Sequence, residues 1–163
     1  MSKKKKNDKT LVEKILEKHQ ISYEPVRLPW KEEHHIAQIQ IDESGIDPHF
    51  VFKTLVLTSP SGPLVAVIPI ESHLDMKKLA KLSGNKRVEM LPLKDLMKTT
   101  GYEHGANTPI GIHEKHDYPI YFDPTALALG SIVVSSGKVG HSVKIDAQQL
   151  IDFVGGEIGN ILE

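Results

Sequence analysis

The sequence predicts an α+β domain, a single mixed β-sheet with helices around it, and three observations carry that expectation. Apolar runs of strand length recur, chiefly residues 50–57 and 64–69, each bounded by Pro, Ser, Asp or Gly. Short amphipathic segments follow capping residues: Thr10 with Glu13, Asp75, and Asp146 with Gln149. Strands and helices mix without a regular βαβ rhythm, which favours α+β over a doubly wound sheet. At 163 residues, 39% hydrophobic and 25% charged, the chain suits one globular domain. Residues 1–9 read as a flexible basic tail and residues 10–163 as the domain.

Taken in order, Leu11, Val12, Ile15 and Leu16 recur at helical spacing behind the Thr10 and Glu13 capping box. Residues 21–28 read as a strand that Pro25 confines to an edge or bends, and residues 28–35 as a loop. Residues 36–43 fit two patterns: Ala37, Ile39 and Ile41 alternate like a strand, while Ile36, Ile39 and Glu43 are spaced more like a helix. Residues 50–57 and 64–69, joined by a Ser-Pro-Ser-Gly-Pro turn, read as an antiparallel pair. Asp75 caps a helix that Gly84 ends. Residues 88–91 are a short strand, Pro92 opens the next helix and Gly101 stops it. Residues 102–112, with Gly105, Gly111 and a proline, read as a loop, and residues 118–122 as a strand. Residues 131–135 and 141–145 form two strands joined by a Ser-Gly-Lys-Val-Gly connection, and a last helix ends at Gly155 and Gly156.

Composition removes several classes of function. Cysteine is absent, so disulfides and thiol chemistry are excluded, which fits a cytoplasmic protein. No apolar run reaches the ~18 residues of a membrane-spanning helix, and no signal-peptide core follows the first lysines. The net charge is −1, so any nucleic-acid contact must come from a local patch, for which Lys77, Lys78, Lys81, Lys86 and Arg87 are the candidates; the same residues also read as a solvated helix face.

Four features compete for the chemistry. Lys53 shares a strand face with Val51, Leu55 and Leu57; either its stem snorkels to an edge or the face opens into a pocket that needs a positive charge. Residues 101–111 combine glycines that let backbone N–H groups converge on a developing oxyanion with Pro109 to fix the turn; an ordinary surface loop has the same composition. The segment Ser135-Ser136-Gly137-Lys138 resembles a phosphate-cradling loop but lacks the P-loop order, because Val139 follows the lysine. His34, His35, His104, His113 and His116 offer zinc ligands, without HExxH spacing. No Gly-x-Ser-x-Gly elbow is present.

In this order and together, Val51-Phe52-Lys53-Thr54-Leu55-Val56, Lys86-Arg87-Val88-Glu89-Met90, Thr100-Gly101-Tyr102 with residues 105–111, and Ser135-Ser136-Gly137-Lys138 resemble the YbaK family, the prolyl-tRNA-synthetase-associated editing domains. The resemblance spans roughly residues 11–153. It implies a free-standing deacylase of mischarged tRNA, acting on cysteine or alanine carried by tRNA(Pro), with no cofactor and no metal, and a helix near residues 36–43. It implies that Lys53 holds the 3′ end of the substrate, with Thr54 beside it. Gly105, Ala106, Asn107, Thr108 and Pro109 correspond to the loop that binds the aminoacyl group and its carbonyl, and Ser135 and Gly137 to the hairpin beside the pocket. The implied partners are the acceptor end of an aminoacylated tRNA and a tRNA synthetase, not a membrane. Three positions depart from the family pattern: Val139 replaces an arginine, Ser142 stands where the cysteine-specific branch has an aspartate, and Leu28 or Trp30 stands for an aromatic of the first strand. An acceptor-end binding module without catalysis and a histidine-ligated metal hydrolase are the alternatives.

Overall fold

The structure, a computed structural model, describes residues 9–33, 36–41 and 44–163. Residues 1–8 of the expected tail, the His34-His35 pair and Glu43 lie outside the described residues. Lys9 itself pairs with Glu17 at 2.8 Å.

The chain opens with helix α1 (Leu11–Lys18), whose capping box forms as expected: Thr10 Oγ1 accepts from Glu13 N–H and Glu13 Oε1 accepts from Thr10 N–H, both at 3.1 Å. Strand β1 (Tyr23–Arg27) is the edge of a three-stranded antiparallel sheet with β9 (His141–Asp146) and β8 (Ser131–Lys138), so Pro25 occupies the edge position its missing donor demands. A five-stranded mixed sheet has the order β10 (Glu157–Ile158), β7 (Ile120–Phe122), β5 (Gly62–Pro69), β4 (Phe52–Ser59), β6 (Glu89–Met90). β4 and β5 pair antiparallel over eight residues, while β5 and β7, and β7 and β10, run parallel. A parallel bridge between Val51 and Val133 joins the two sheets.

The strand period divides the apolar residues between two cores. Phe52, Val56, Val65, Val67 and Phe122 face inward against Ile132, Val134, Val143 and Ile145, with α1 and α6 (Ala147–Val154) closing that layer. Leu57, Leu64, Ala66 and Ile68 face the other way, against Leu79 and Ala80 of α2 (Met76–Ser83) and against Ile161. Gly84 ends α2 at φ +75°, the left-handed conformation that glycine adopts without strain.

Five segments differ from the sequence reading or from what the resemblance implied. Residues Trp30–Glu33 are a strand, β2, not a loop, and pair with β3 (Ile36–Ile39) in a separate two-stranded ribbon. The helix implied near residues 36–43 is therefore not formed at Ile36–Ile39: the alternating reading of that segment holds, because β2 supplies its ladder partner. The expected loop at residues 102–112 becomes helical at α4 (Pro109–Lys115), since Thr108 is its N-cap and Pro109 takes the first helical position, where no N–H is needed. Helix α5 (Thr125–Leu129) and strand β10 have no counterpart in the sequence reading; α3 (Leu93–Thr100) does, stopped by Gly101 at φ +83°.

Candidate active site

The pleat of β4 places Lys53 on the face that carries Leu55 and Leu57. Leu57 is fully buried and Leu55 packs beside it, but Lys53 lies past the end of that core and is only half-buried. It lines a cavity of about 590 Å³. Desolvation pulls its pKa below the ordinary lysine value, and among the described residues it has neither an ion pair nor a hydrogen bond. The apolar walls come from Leu28, Val51 and Ile70 on one side and Met90, Leu91, Leu93 and Leu96 on another. Polar groups reach the cavity from Thr54, Asn107, Ser135 and Ser142, and His104 stands exposed at its edge. Among the described residues no aspartate or glutamate lines the cavity.

The wall beside Lys53 is a turn. After α3, Ala106 N–H donates to Glu103 C=O at 3.0 Å, and Gly105 between them has φ +85°. A residue with a Cβ strains in that conformation, so Gly105 meets the backbone requirement that its sequence context suggested. Asn107 braces the turn: its Oδ1 accepts from Thr100 Oγ1 at 2.7 Å and its Nδ2 donates to Glu103 C=O at 3.2 Å. Thr108 Oγ1 accepts from Gly111 N–H at 3.4 Å as the cap of α4.

The opposite wall is the β8–β9 hairpin. Ser135 and Ser142 are register partners and both line the cavity. The pairing slips between Ser135 and Lys138, and Gly137, at φ +98°, donates its N–H to Ser135 Oγ at 3.4 Å. A long bulged hairpin of this kind re-aims side chains locally.

The structure thus brings together at one cavity Lys53, Thr54, Gly105, Asn107 and Ser135, which lie 82 positions apart at their extremes in a chain of 163 residues. Ala106, Thr108, Pro109 and Gly137 do not line it; the first three are buried behind the turn, and Gly137 packs against Tyr102. Of the two candidates for the first-strand aromatic, Leu28 lines the cavity, while Trp30 is 47% exposed and lies against Gly140. Ser142 is a lining residue.

Tyr102 is the residue that sequence reasoning passed over. Its ring is buried between α4 and the hairpin: a Cβ on Gly111 would sit 2.1 Å from the Tyr102 hydroxyl, and one on Gly137 would sit 3.0 Å from Cε1. Lys115 Nζ lies 4.9 Å from the ring centroid, within cation–π range. Glycines on both sides of an aromatic are far apart in sequence, so no local signal identifies the contact. Of the histidines, His113 meets Phe153 edge-on at 5.6 Å and His116 stacks on Tyr118 at 4.5 Å. Among the described residues no three His, Asp or Glu side chains converge on a metal-sized site. Lys77, Lys78, Lys81, Lys86 and Arg87 are all exposed, with Lys78 donating to Leu162 C=O at 2.7 Å and Arg87 3.8 Å from Glu89.

Comparison with known proteins gives the chain a family and a fold. The model of the aminoacyl-tRNA editing domain matches residues 36–153. A curated protein of Enterococcus faecalis, described as a candidate Cys-tRNA(Pro)/Cys-tRNA(Cys) deacylase and named EbsC, is 41% identical over 162 residues, covering 99% of this chain and 98% of its own. A solved structure described as a candidate trans-editing enzyme for prolyl tRNA synthetase superposes with a TM-score of 0.76 at 19% identity, covering 93% of this chain and 94% of that one. A hypothetical protein of known structure gives 0.77 at 16% identity, covering 93% and 99%. These two show a common fold. The match to the family model and the identity across nearly the full length mean that the chain belongs to the aminoacyl-tRNA editing domain family, which includes YbaK and the prolyl-tRNA-synthetase-associated editing domains.

Proposed function

We propose that this chain is a free-standing trans-editing deacylase that removes cysteine, or alanine, from mischarged tRNA(Pro) without a metal. The observation that carries the reading is Lys53: an ammonium held half-buried against apolar walls, with neither a partner nor a carboxylate in the cavity lining among the described residues. A cation kept at such a desolvation cost suits an anion that arrives with the substrate, and a phosphate at the 3′ end of tRNA is that anion. The E. faecalis relative's description as a candidate Cys-tRNA(Pro)/Cys-tRNA(Cys) deacylase supports the substrate class.

The ester of an aminoacyl-tRNA is already activated, so the enzyme's work is positioning and stabilisation of the oxyanion. Lys53 and Thr54 hold the RNA end, and the turn receives the aminoacyl group at Gly105 and Asn107, the two of its residues that line the cavity. With a cysteinyl ester the substrate's own sulfur attacks the carbonyl carbon, the bond to the ribose oxygen breaks, and the thiol proton ends on that oxygen, releasing a cyclic thiolactone and free tRNA. With an alanyl ester a water takes the place of the thiol and the amino acid leaves as the acid. Ser135 and Ser142 bound the space for the side chain, and their hydroxyls accommodate small neutral groups.

A deacylation panel tests this: cysteinyl-, alanyl- and prolyl-tRNA(Pro), and cysteinyl-tRNA(Cys), each incubated with the purified protein with and without a chelator. Release of cysteine or alanine and sparing of proline, unaffected by the chelator, is the expected result. Binding of the tRNA end without release of any amino acid makes the protein a binding module, and loss of activity to the chelator, restored by zinc, refutes the metal-free chemistry.

A further inference from the structure

Strand β4 is paired along its full length on one side but only toward its ends on the other. Residues Phe52–Ser59 run beside Gly62–Pro69 without a register shift. Along a strand, the backbone N–H and C=O groups of alternate residues address opposite edges. Two hydrogen bonds establish which residues address which edge. Ile70 N–H donates to Val51 C=O at 2.8 Å, so odd-numbered residues address β5; Leu91 N–H donates to Val56 C=O at 3.1 Å, so even-numbered residues address the outer edge. On that outer edge β8 meets the chain at the Val51–Val133 bridge, and β6 pairs only with Leu57 and Thr58.

Between those two contacts no strand pairs with the outer edge among the described residues, so the C=O of Phe52 and the N–H and C=O of Thr54 have no ladder partner there. The gap opens on the cavity, since Phe52, Thr54 and Val56 all line it. The Thr54 hydroxyl is buried there without a hydrogen-bond partner among the described residues. Native chains leave few such groups unpaired, because an unmet buried donor or acceptor is costly. An acceptor and a donor one residue apart, beside apolar walls from Leu91, Leu93 and Leu96, fit the Watson–Crick edge of an adenine: its N6 amino group donates and its N1 accepts. Single-stranded RNA is commonly read on that edge.

We infer that the open edge of β4 reads the terminal adenine of the tRNA through the main chain, Phe52 C=O accepting from N6 and Thr54 N–H donating to N1. This rests on the editing reading, and it adds a base-recognition site to the residues that hold the ester and the phosphate. Guanine presents the reversed pair, an acceptor at O6 and a donor at N1, and does not fit the same register.

The test uses the unmodified protein and varies only the RNA. Minihelices carrying the same mischarged amino acid end in adenosine, in purine riboside (which lacks the N6 amino group) or in 1-deazaadenosine (which lacks the N1 acceptor). Each analogue loses one hydrogen bond and leaves a protein group unmet, so kcat/KM is expected to fall about tenfold for each, through KM, with kcat retained at saturation. Equal kcat/KM on all three RNAs overturns the inference and leaves the editing reading standing. Failure to release any amino acid from the adenosine-ended substrates overturns the editing reading, and this inference with it.

Discussion

Lys53→Met is the substitution that separates chemistry from packing at the centre of the site. Methionine keeps an apolar stem of similar length and discards the ammonium. If the charge holds a phosphate of the RNA end, one charge-assisted hydrogen bond is lost, worth about 1.5–3 kcal/mol; at 1.4 kcal/mol per decade that is a fall of roughly 10- to 100-fold in kcat/KM. Stability moves the other way or not at all, because the variant no longer keeps a desolvated ammonium. Lys53→Ala additionally removes three methylenes of a half-buried stem, and at about 0.8 kcal/mol per fully buried methylene it loses roughly 1 kcal/mol of packing. The pH dependence has a definite sign. Burial depresses the folded-state pKa of Lys53 below its unfolded value, so in the window between the two the unfolded chain binds more protons and stability rises with pH. The penalty is fully present below that window, and the methionine variant lacks this alkaline rise. Single-turnover deacylation and thermal melts at several pH values, run on the same preparations, read both effects. A Lys53→Met protein with near-wild-type kcat/KM refutes the reasoning, whatever its melting temperature.

Gly105→Ala places a Cβ at φ +85°, a conformation that costs an ordinary residue about 1–2 kcal/mol; the turn relaxes and deacylation drops while the melting transition stays cooperative, and unchanged turnover removes the turn from the site. Tyr102→Phe deletes a buried hydroxyl that has no hydrogen-bond partner, so its melting temperature is expected to hold or rise slightly, whereas Gly111→Ala, which drives a Cβ to 2.1 Å from that hydroxyl, is expected to lose about 1–3 kcal/mol by overpacking; a destabilised Tyr102→Phe protein shows that the hydroxyl is bonded after all. Binding of a non-hydrolysable acceptor-end analogue should depend weakly on salt, with a log–log slope of about −0.7 for each single-strand phosphate contacted; a slope steeper than about −5 indicates a large basic surface in addition to Lys53.

The parts of the fold that were legible in the sequence are those whose signals are local. Thr10 with Glu13, Asp75 with Gly84, and Asp146 with Gly155 each place a helix end, and the structure forms those caps from the residues expected. The β4–β5 pair was equally plain, since two apolar runs flank a Ser-Pro-Ser-Gly-Pro turn. The ribbon of β2 and β3 was not, because Lys31 and Glu32 are exposed and Trp30 half-exposed, so half of the ribbon carries no apolar alternation. Helix α4 was hidden by Gly105 and Gly111, although Thr108 and Pro109 are good N-cap and first-turn residues. At the site, an apolar face interrupted by Lys53 was visible from strand periodicity alone. The walls formed by Leu91, Leu93 and Leu96 lie 32 or more positions beyond the end of β4 at Ser59, and Tyr102 packs against Gly137 across 35 positions; Ser135 and Ser142 are only seven apart, but their meeting depends on the register of a bulged hairpin.

That division explains why some motif residues touch the cavity and others do not. Lys53, Thr54, Gly105 and Ser135 present groups to it, whereas Thr108 caps a helix and Gly137 leaves room for a tyrosine. Under the proposed function an activated ester asks for little from side-chain acids and bases, and the cavity is bounded in part by the Gly105 turn and the open edge of β4. Main-chain groups cannot be exchanged one at a time by substitution; they move when the backbone that carries them moves. A residue such as Gly137, which contributes no lining group, is therefore as restricted as Lys53: a Cβ there would meet Tyr102 at 3.0 Å, in a backbone conformation of φ +98°, and Tyr102 is packed in turn against α4, the helix that the Gly105 turn leads into. Under the proposed function, selection of a small neutral side chain would come from the same construction: the Gly105 turn and a hairpin of two serines bound the cavity, and the closely packed Tyr102 resists its enlargement.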